Sequence, residues 1–298
     1  MKVLNFGSLN LDYVYSVDHF VRPGETLSAV SQALNPGGKG LNQSIALARA
    51  GAQASHAGCI GAGGEMLKQL LADNGVDTTW LPTVETLQGN AVIQVNRDGE
   101  NCILLFGGSN QCVTEEQVAR TLDAFEAGDW LVLQNEINNL PLIVDTAYAK
   151  GLRIALNPSP YDDRLKDVDF GKLSWLLVNE VEAGQISGSE EPEEAWKLLH
   201  ARYPALSVLI TLGGDGSVAH RVEGGEVETI RQAAFPVKAV DTTAAGDTFT
   251  GYFISGLMEG LPLETCMRRA SKASSISVTR PGAAPSIPLR AEVDAALA

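Results

Sequence analysis

The chain has 298 residues, of which 45% are hydrophobic and 19% charged, so it can form one large globular domain or two smaller ones. Its formal net charge of −14 at pH 7 disfavours nucleic acid and anionic membrane surfaces as partners. The sequence lacks the run of about 18 apolar residues that a membrane helix needs, and its scattered cysteines and histidines form no zinc or disulfide pattern. We therefore expect a cytoplasmic protein with reduced thiols.

The first half of the chain alternates short apolar runs with helical patterns. KVLNFGS at the start predicts a buried strand, and GLNQSIALARAGA and GEMLKQLLADNG predict helices that end at Gly51 and Gly75. Next comes NAVIQVNRDGENCILLFGG, in which two alternating runs flank Asp98-Gly99. This arrangement predicts a β-hairpin.

Four short apolar runs follow in the second half, most of them succeeded by helix-like sequence. They are WLVLQNE, RIALNPS, WLLVNE and VLITLGG. Strands that are apolar on both faces are typical of a parallel sheet with helices on each side. The sequence therefore predicts an α/β fold with a central, mostly parallel sheet covered by helices on both faces, and a small β excursion in the N-terminal half.

Polar residues stand at the carboxyl ends of five predicted strands. In open parallel sheets, ligands bind beyond these ends, so we expect the side chains to line one site. The residues are Asn10 and Asp12, Asn135 and Glu136, Asn157, Asn179 and Glu180, and Thr211 and Gly213.

The stretch DTTAAGDTFTG, residues 241–251, passes from a flexible turn into a helical pattern. The N–H groups at such a helix start have no helical partner and can bind an anion. The carboxylate of Asp247 beside them suggests a base acting next to a phosphate. Asp247 could also simply cap the helix, which is a common use of aspartate.

A second glycine-rich stretch is NPGGKGLNQS, residues 35–44. It matches neither the P-loop nor a G-x-G-x-x-G fingerprint. The glycines around Lys39 allow a backbone to approach a ligand closely, although a glycine-rich turn before a helix would have the same composition.

GGKGLNQ and DTTAAGDTFTG together resemble the two signature regions of the ribokinase-like (PfkB) family of carbohydrate kinases. The resemblance extends over the whole chain through SLNLD, NEVEA, TLGGDG and VTRPGAAPSIP, and AAGD and the last segment are similar to the ribokinase branch. It implies one ribokinase-like domain over residues 1–298, with a β-lid built from segments at about 10–35 and 88–108.

This resemblance also implies ATP-dependent phosphorylation of a sugar hydroxyl, with D-ribose to D-ribose 5-phosphate as the first expectation. Kinases of deoxyribose, fructose or nucleosides would carry nearly the same motifs, and a non-catalytic sugar-binding protein on the same fold is a further alternative. Apart from Lys39, the sugar-side motifs lack lysine and arginine, which favours an unphosphorylated sugar.

When the roles of family residues are carried over position by position, the resemblance implies that Asp247 is the general base. The N–H groups of Ala245, Gly246 and Asp247 would form an anion hole, and Ala244 stands where the wider family often has glycine. The residues implied in sugar binding are Asn10, Asp12, Gly38, Lys39, Gly40, Asn42, Glu136 and Asp247.

The same comparison assigns residues to the nucleotide and to cations. Nucleotide contacts are implied for Asn179, Thr211, Gly213, Gly216, Gly246 and Ser271, the last standing where ribokinases often carry histidine. Glu182 would hold Mg²⁺ through water. A K⁺ site is implied at Asp241, Thr243, Ser277, Arg280, Gly282 and Ser286.

The predicted hairpin corresponds to the family's lid. The apolar side chains of Ala91, Ile93 and Val95 on one of its faces would cover the sugar and meet the lid of a second copy. We therefore expect a homodimer.

Overall fold

The computed structural model describes residues 1–298, which form 15 strands and nine α-helices. The strands are β1 (Val3–Phe6), β2 (Asn10–Ser16), β3 (Ser31–Gly37), β4 (Ala54–Ala57), β5 (Ile60–Ala62), β6 (Asp77–Trp80), β7 (Thr83–Leu87), β8 (Asn90–Val95), β9 (Asn101–Phe106), β10 (Trp130–Gln134), β11 (Arg153–Asn157), β12 (Trp175–Asn179), β13 (Ser207–Thr211), β14 (Ser217–Glu223) and β15 (Glu226–Gln232). The helices are α1 (Lys39–Arg49), α2 (Glu65–Asp73), α3 (Glu115–Asp123), α4 (Leu140–Ala149), α5 (Glu180–Ser187), α6 (Pro192–Arg202), α7 (Ala245–Met258), α8 (Leu263–Ser277) and α9 (Arg290–Leu297). None of these helices is both long enough and apolar enough to pass through a membrane.

Nine strands form the central sheet, in the order β15-β14-β13-β12-β11-β10-β1-β4-β6. The seven strands from β13 to β6 pair in parallel, and at one edge β14 runs antiparallel to both of its neighbours, β13 and β15. The predicted mostly parallel sheet is therefore confirmed, and the four apolar runs of the second half are β10 to β13.

Helices cover both faces of this sheet because successive strand residues point to opposite sides. Leu4 and Phe6 of β1 pack into a cluster with apolar residues of α3, α4, α5 and α6. Val3 of the same strand packs on the other side, in a cluster with residues of α1, α7, α8 and α9. Fully burying one large aliphatic side chain stabilises a fold by roughly 1.5–3 kcal/mol, so the two clusters account for much of the fold's stability.

A separate four-stranded sheet, which we call the lid, has the order β3-β2-β8-β9. The predicted hairpin is confirmed as β8 and β9, with Gly99 of its turn at a φ of 79°. Alternation along the strands places Val14 and Ile93 on one face and Tyr13 and Val92 on the other. Strand β3 ends at Gly37 and α1 begins at Lys39, so the lid leads almost directly into the first helix.

Candidate active site

Three adjoining cavities follow the carboxyl ends of the central strands. Their volumes are about 640, 450 and 500 Å³, and the first lies against the lid. Lys39 and Asp247 line both the first and the second cavity, and Gly213 and Gly246 line both the second and the third. The cavities therefore form one continuous groove, with a lysine and a carboxylate at the junction between its first two parts.

Asp247 lies in the first turn of α7. The helix follows Ala244, which has a φ of 60°, the left-handed region that is costly for a residue other than glycine. The N–H groups of Gly246 and Asp247 donate no hydrogen bond within the protein, whereas that of Ala245 donates to the Thr242 carbonyl at 3.2 Å. Two of the three predicted anion-hole donors are thus free for a ligand.

The carboxylate of Asp247 is 6% exposed and does not cap the helix. Its Oδ2 accepts a hydrogen bond from Asn42 Nδ2 at 3.0 Å, and its Oδ1 accepts one from Gln43 Nε2 at 2.9 Å. Sequence reasoning missed Gln43, although a glutamine on the buried side of α1 next to a predicted site residue was a usable signal.

The predicted sugar residues, with one exception, line the first cavity. Those that line it are Asn10, Asp12, Gly38, Lys39, Asn42, Glu136 and Asp247. Gly40 does not: it is buried, and its N–H donates to Ser8 Oγ at 3.3 Å. A side chain at Gly40 would collide with the backbone of Gly7 and Ser8, so this glycine permits close packing of α1.

Supporting contacts hold several of these side chains in place. Asn10 Oδ1 accepts a hydrogen bond from Asn110 Nδ2 at 2.7 Å, a partner 100 residues away that sequence reasoning did not find. Glu136 accepts hydrogen bonds from the Ser8 hydroxyl and from the Lys39 N–H. Asn42 Oδ1 is buried and has no hydrogen-bond partner in the protein.

Burial strongly affects the charged groups of the first cavity. It raises the pKa of Asp12 to about 6, with the nearby Glu136 adding to the rise. Burial alone would lower the pKa of Lys39, but the carboxylates of Asp247, Glu136 and Glu182 outweigh burial and raise that pKa. The Lys39 ammonium is therefore charged, and it makes no ion pair within 4.0 Å.

The predicted nucleotide residues lie along the second and third cavities. Asn179, Thr211 and Gly213 line the second, and Gly216 and Ser271 line the third. Ser271 is 7% exposed.

Glu182 lines the second cavity and forms a capping box with Asn179 at the start of α5. Its Oε2 accepts from the Asn179 N–H at 3.1 Å, which leaves the other carboxylate oxygen for a water molecule. No group of three acidic, histidine or cysteine side chains surrounds this point. The donor set fits a hydrated Mg²⁺ held mainly by water and ligand phosphates.

The six predicted K⁺ residues lie in two segments, one before α7 and one beginning at the end of α8. Asp241 joins the segments, because its carboxylate accepts hydrogen bonds from the N–H groups of Thr243 and Gly282 at 2.9 and 2.8 Å. Asp241, Thr243 and Gly282 line the first cavity, and their carbonyl oxygens accept no hydrogen bond within the protein. Such uncommitted carbonyls fit a K⁺ ion.

The side chains of the other three predicted K⁺ residues are occupied elsewhere. The hydroxyls of Ser277 and Ser286 donate to the carbonyls of Ser274 and Ala283, and Arg280 pairs with Glu292. Any contribution of these three residues to a cation site would have to come from their backbone.

Known proteins match both the sequence and the fold. Residues 1–290 match the family model described as pfkB family carbohydrate kinase. The chain is 37% identical over 296 residues to a ribokinase of Haemophilus influenzae, with 96% of this chain and 95% of that one covered. Its structure resembles the crystal structure of a ribokinase from Thermotoga maritima, with a TM-score of 0.87, 34% identity and coverage of 100% and 99%. It also resembles Arabidopsis thaliana ribokinase complexed with ribose and ATP, with a TM-score of 0.88, 28% identity and coverage of 99% and 98%.

Proposed function

Because the chain belongs to the pfkB family of carbohydrate kinases, we propose that it transfers the γ-phosphoryl group of ATP to D-ribose and forms D-ribose 5-phosphate and ADP. The observation that carries this proposal is the position of Asp247. This buried carboxylate lies where the cavity lined by the predicted sugar residues meets the cavity lined by the predicted nucleotide residues.

In the proposed reaction, the sugar binds in the first cavity. Its hydroxyls donate to Asp12 and Glu136, and carboxylates suit a neutral polyol because they offer several acceptors. Lys39 is the only lysine or arginine that lines this cavity, which matches an unphosphorylated acceptor.

Asp247 accepts the proton of the attacking hydroxyl as the bond from its oxygen to the γ-phosphorus forms and the bond to the β-phosphate oxygen breaks. The free N–H groups of Gly246 and Asp247 and the Lys39 ammonium stabilise charge on the transferred group. Bound Mg²⁺ would neutralise phosphate charge, and Glu182 would hold its water shell. Asp241, Thr243 and Gly282 would hold K⁺ beside the anion hole.

The proposal extends to the domain organisation, the location and the oligomeric state of the protein. We infer that residues 1–298 act as one domain with the lid over the sugar, where it excludes water that would compete as phosphoryl acceptor. A cytoplasmic location and a homodimer formed through the lid complete the proposal.

The substrate is tested with a panel of pentoses, hexoses and nucleosides, with ATP, Mg²⁺ and K⁺ present and ADP release recorded. We expect D-ribose to give the highest kcat/KM. A higher kcat/KM for deoxyribose, fructose or a nucleoside would show that this compound, and not ribose, is the preferred substrate.

The role of Asp247 is tested by Asp247→Asn. We expect kcat to fall by about 10²–10⁴-fold because general-base catalysis contributes that much, while calorimetry shows little change in sugar binding. The exposed Asp145, which pairs with Lys172 on the surface, gives a matched control, Asp145→Asn, that should keep wild-type kcat. Wild-type turnover in Asp247→Asn would show that another group is the base.

A further inference from the structure

Behind Asp247 lies a row of uncharged polar side chains to which the mechanism above gives no role. Asn5, Gln43, Ser44, His56 and Gln134 are all 0% exposed. Burial lowers the pKa of His56 to about 3, so its imidazole is neutral at physiological pH. Buried polar groups are costly unless hydrogen-bonded, so a connected row of this kind needs a reason to exist.

The direction of the hydrogen bonds follows from one fixed point, the carbonyl oxygen of Gly40, which can only accept. Asn5 therefore turns its NH₂ group to Gly40, at 2.8 Å, and its Oδ1 to Gln134. Gln134 must then present its NH₂ group, which donates to Asn5 Oδ1 at 2.9 Å and to Gln43 Oε1 at 2.7 Å.

The orientation of Gln134 also fixes that of Gln43. The amide oxygen of Gln43 accepts a hydrogen bond from Gln134, so the NH₂ group of Gln43 must point the other way. That group donates to Asp247 Oδ1 at 2.9 Å and to Asn157 Oδ1 at 3.3 Å. A flipped Gln43 amide would place its oxygen against two acceptors and its NH₂ group against a donor. The amide therefore has one stable orientation.

We propose that Gln43 is a positioning residue for the base: its locked amide fixes the Asp247 carboxylate in the orientation that receives the sugar proton. The inference rests on the proposed role of Asp247. A neutral donor suits the task, because it orients the carboxylate without adding a positive charge that would disfavour its protonation. The orientation matters, since a misplacement of about 1 Å can cost roughly 10²-fold in rate.

The test is Gln43→Met, which keeps the length of the side chain and removes its hydrogen bonds, measured alone and combined with Asp247→Asn. We expect the single variant to lose about 10–100-fold in kcat while KM for the sugar changes by less than about threefold. In the Asp247→Asn background, Gln43→Met should change the residual kcat by less than about twofold, because the group through which it acts is gone.

Two outcomes overturn the inference. One is wild-type kcat in Gln43→Met while Asp247→Asn is impaired, which leaves the proposed function intact. The other is an equal fold-loss in both backgrounds, which would show that Gln43 acts independently of Asp247. If instead Asp247→Asn turned over normally, the proposed function itself would fail.

A second buried glutamine provides a control that separates a purely structural effect from an effect on the base. Gln117 on α3 is 6% exposed, and its Nε2 donates to the Gly58 carbonyl at 2.7 Å, outside the three cavities. Gln117→Met should lower Tm without lowering kcat. If Gln43→Met does not fold, Gln134→Met releases the Gln43 amide from the other side, and a kcat loss with unchanged sugar binding is again the expected result; wild-type kcat there overturns the inference.

Discussion

Asp12 lines the first cavity, and the pKa of its carboxyl group lies well above the ordinary value. Burial raises its pKa to about 6, and the negative charge of Glu136 contributes to the rise. Because the pKa of Asp12 is higher in the folded state, its protonated form stabilises the fold fully only below the unfolded-state pKa of 3.8. This contribution to the free energy of unfolding is lost as the pH rises through about 6. The ionised form of Asp12 therefore predominates only above about pH 6.

We predict that KM for the sugar rises as the pH falls below about 6, by up to roughly tenfold per pH unit, because protonated Asp12 loses acceptor sites. Initial rates between pH 5 and 8 measure this. In Asp12→Asn, KM should be high and nearly independent of pH over that range. The same pH dependence in Asp12→Asn would assign the titration to another group, such as Glu136, whose pKa burial also raises.

Ala244 carries backbone strain at the entrance to α7, with a φ of 60°. We predict that Ala244→Gly stabilises the protein by up to about 1 kcal/mol, since glycine adopts this conformation without a steric cost. Thermal unfolding measures the change. Ala119→Gly, at an exposed position within α3, should instead destabilise by about 1 kcal/mol. A loss of stability in Ala244→Gly would contradict the strain argument.

Some site residues were predictable because their chemistry is local. The sequence analysis placed Asn10 and Asp12 at a strand end, and they lie instead in the first three residues of β2, shortly after β1 ends; Asp247 lies at the predicted helix start, in the first turn of α7. The contacts that orient them were not predictable, even where the residue itself had a local signal, since Gln43 meets Asp247 across 204 positions and Asn110 meets Asn10 across 100. Only folding reveals such partners.

Among the secondary-structure elements, β10 to β13 were predictable from local sequence, whereas β3 depends on a contact distant in the sequence. The first four are buried, and their apolar runs predict strands without tertiary information. Strand β3, with the sequence SQALNPG, is mostly exposed and contains a proline, which disfavours an interior strand. It forms at the edge of the lid because it pairs with β2 along its whole length, from Asn10 with Gly37 to Ser16 with Ser31.

The segments before α7 and at the end of α8 meet at Asp241 and present free carbonyl oxygens. We predict that K⁺ raises kcat/KM for ATP at least about tenfold relative to tetramethylammonium at fixed Mg²⁺ and ionic strength, because a bound ion fixes these segments beside the anion hole. Steady-state rates measure the effect, and Asp241→Asn should reduce it. Equal rates with both cations would rule out a K⁺ site.

At the scale of the whole molecule, β9 is an exposed apolar edge. Its residues Ile103, Leu104, Leu105 and Phe106 are 52, 70, 50 and 50% exposed, and no strand pairs with its outer side. Long apolar edge strands of this kind invite pairing or packing with another chain. A second copy of the lid is the partner that our proposal requires.

We predict that the protein is a dimer at micromolar concentration and that Leu104→Asp shifts it to monomer, because a charge would be buried in the interface. Sedimentation measures the change. Leu198→Asp, at a 39% exposed position on α6, is the matched control and should leave the dimer intact. A wild-type monomer at these concentrations would contradict the proposal.

One residue, Gly38, separates the last residue of β3 from the first residue of α1; its φ of 97° favours glycine, and a side chain there would press on the backbone of Ser8 and Asn10. Because a single residue joins the two elements, the position of the lid strand also sets the position of the Lys39 ammonium and the Asn42 amide at the helix start. The wall over the first cavity and the polar groups inside it therefore share one support, so a substitution that displaces β3 would disturb both.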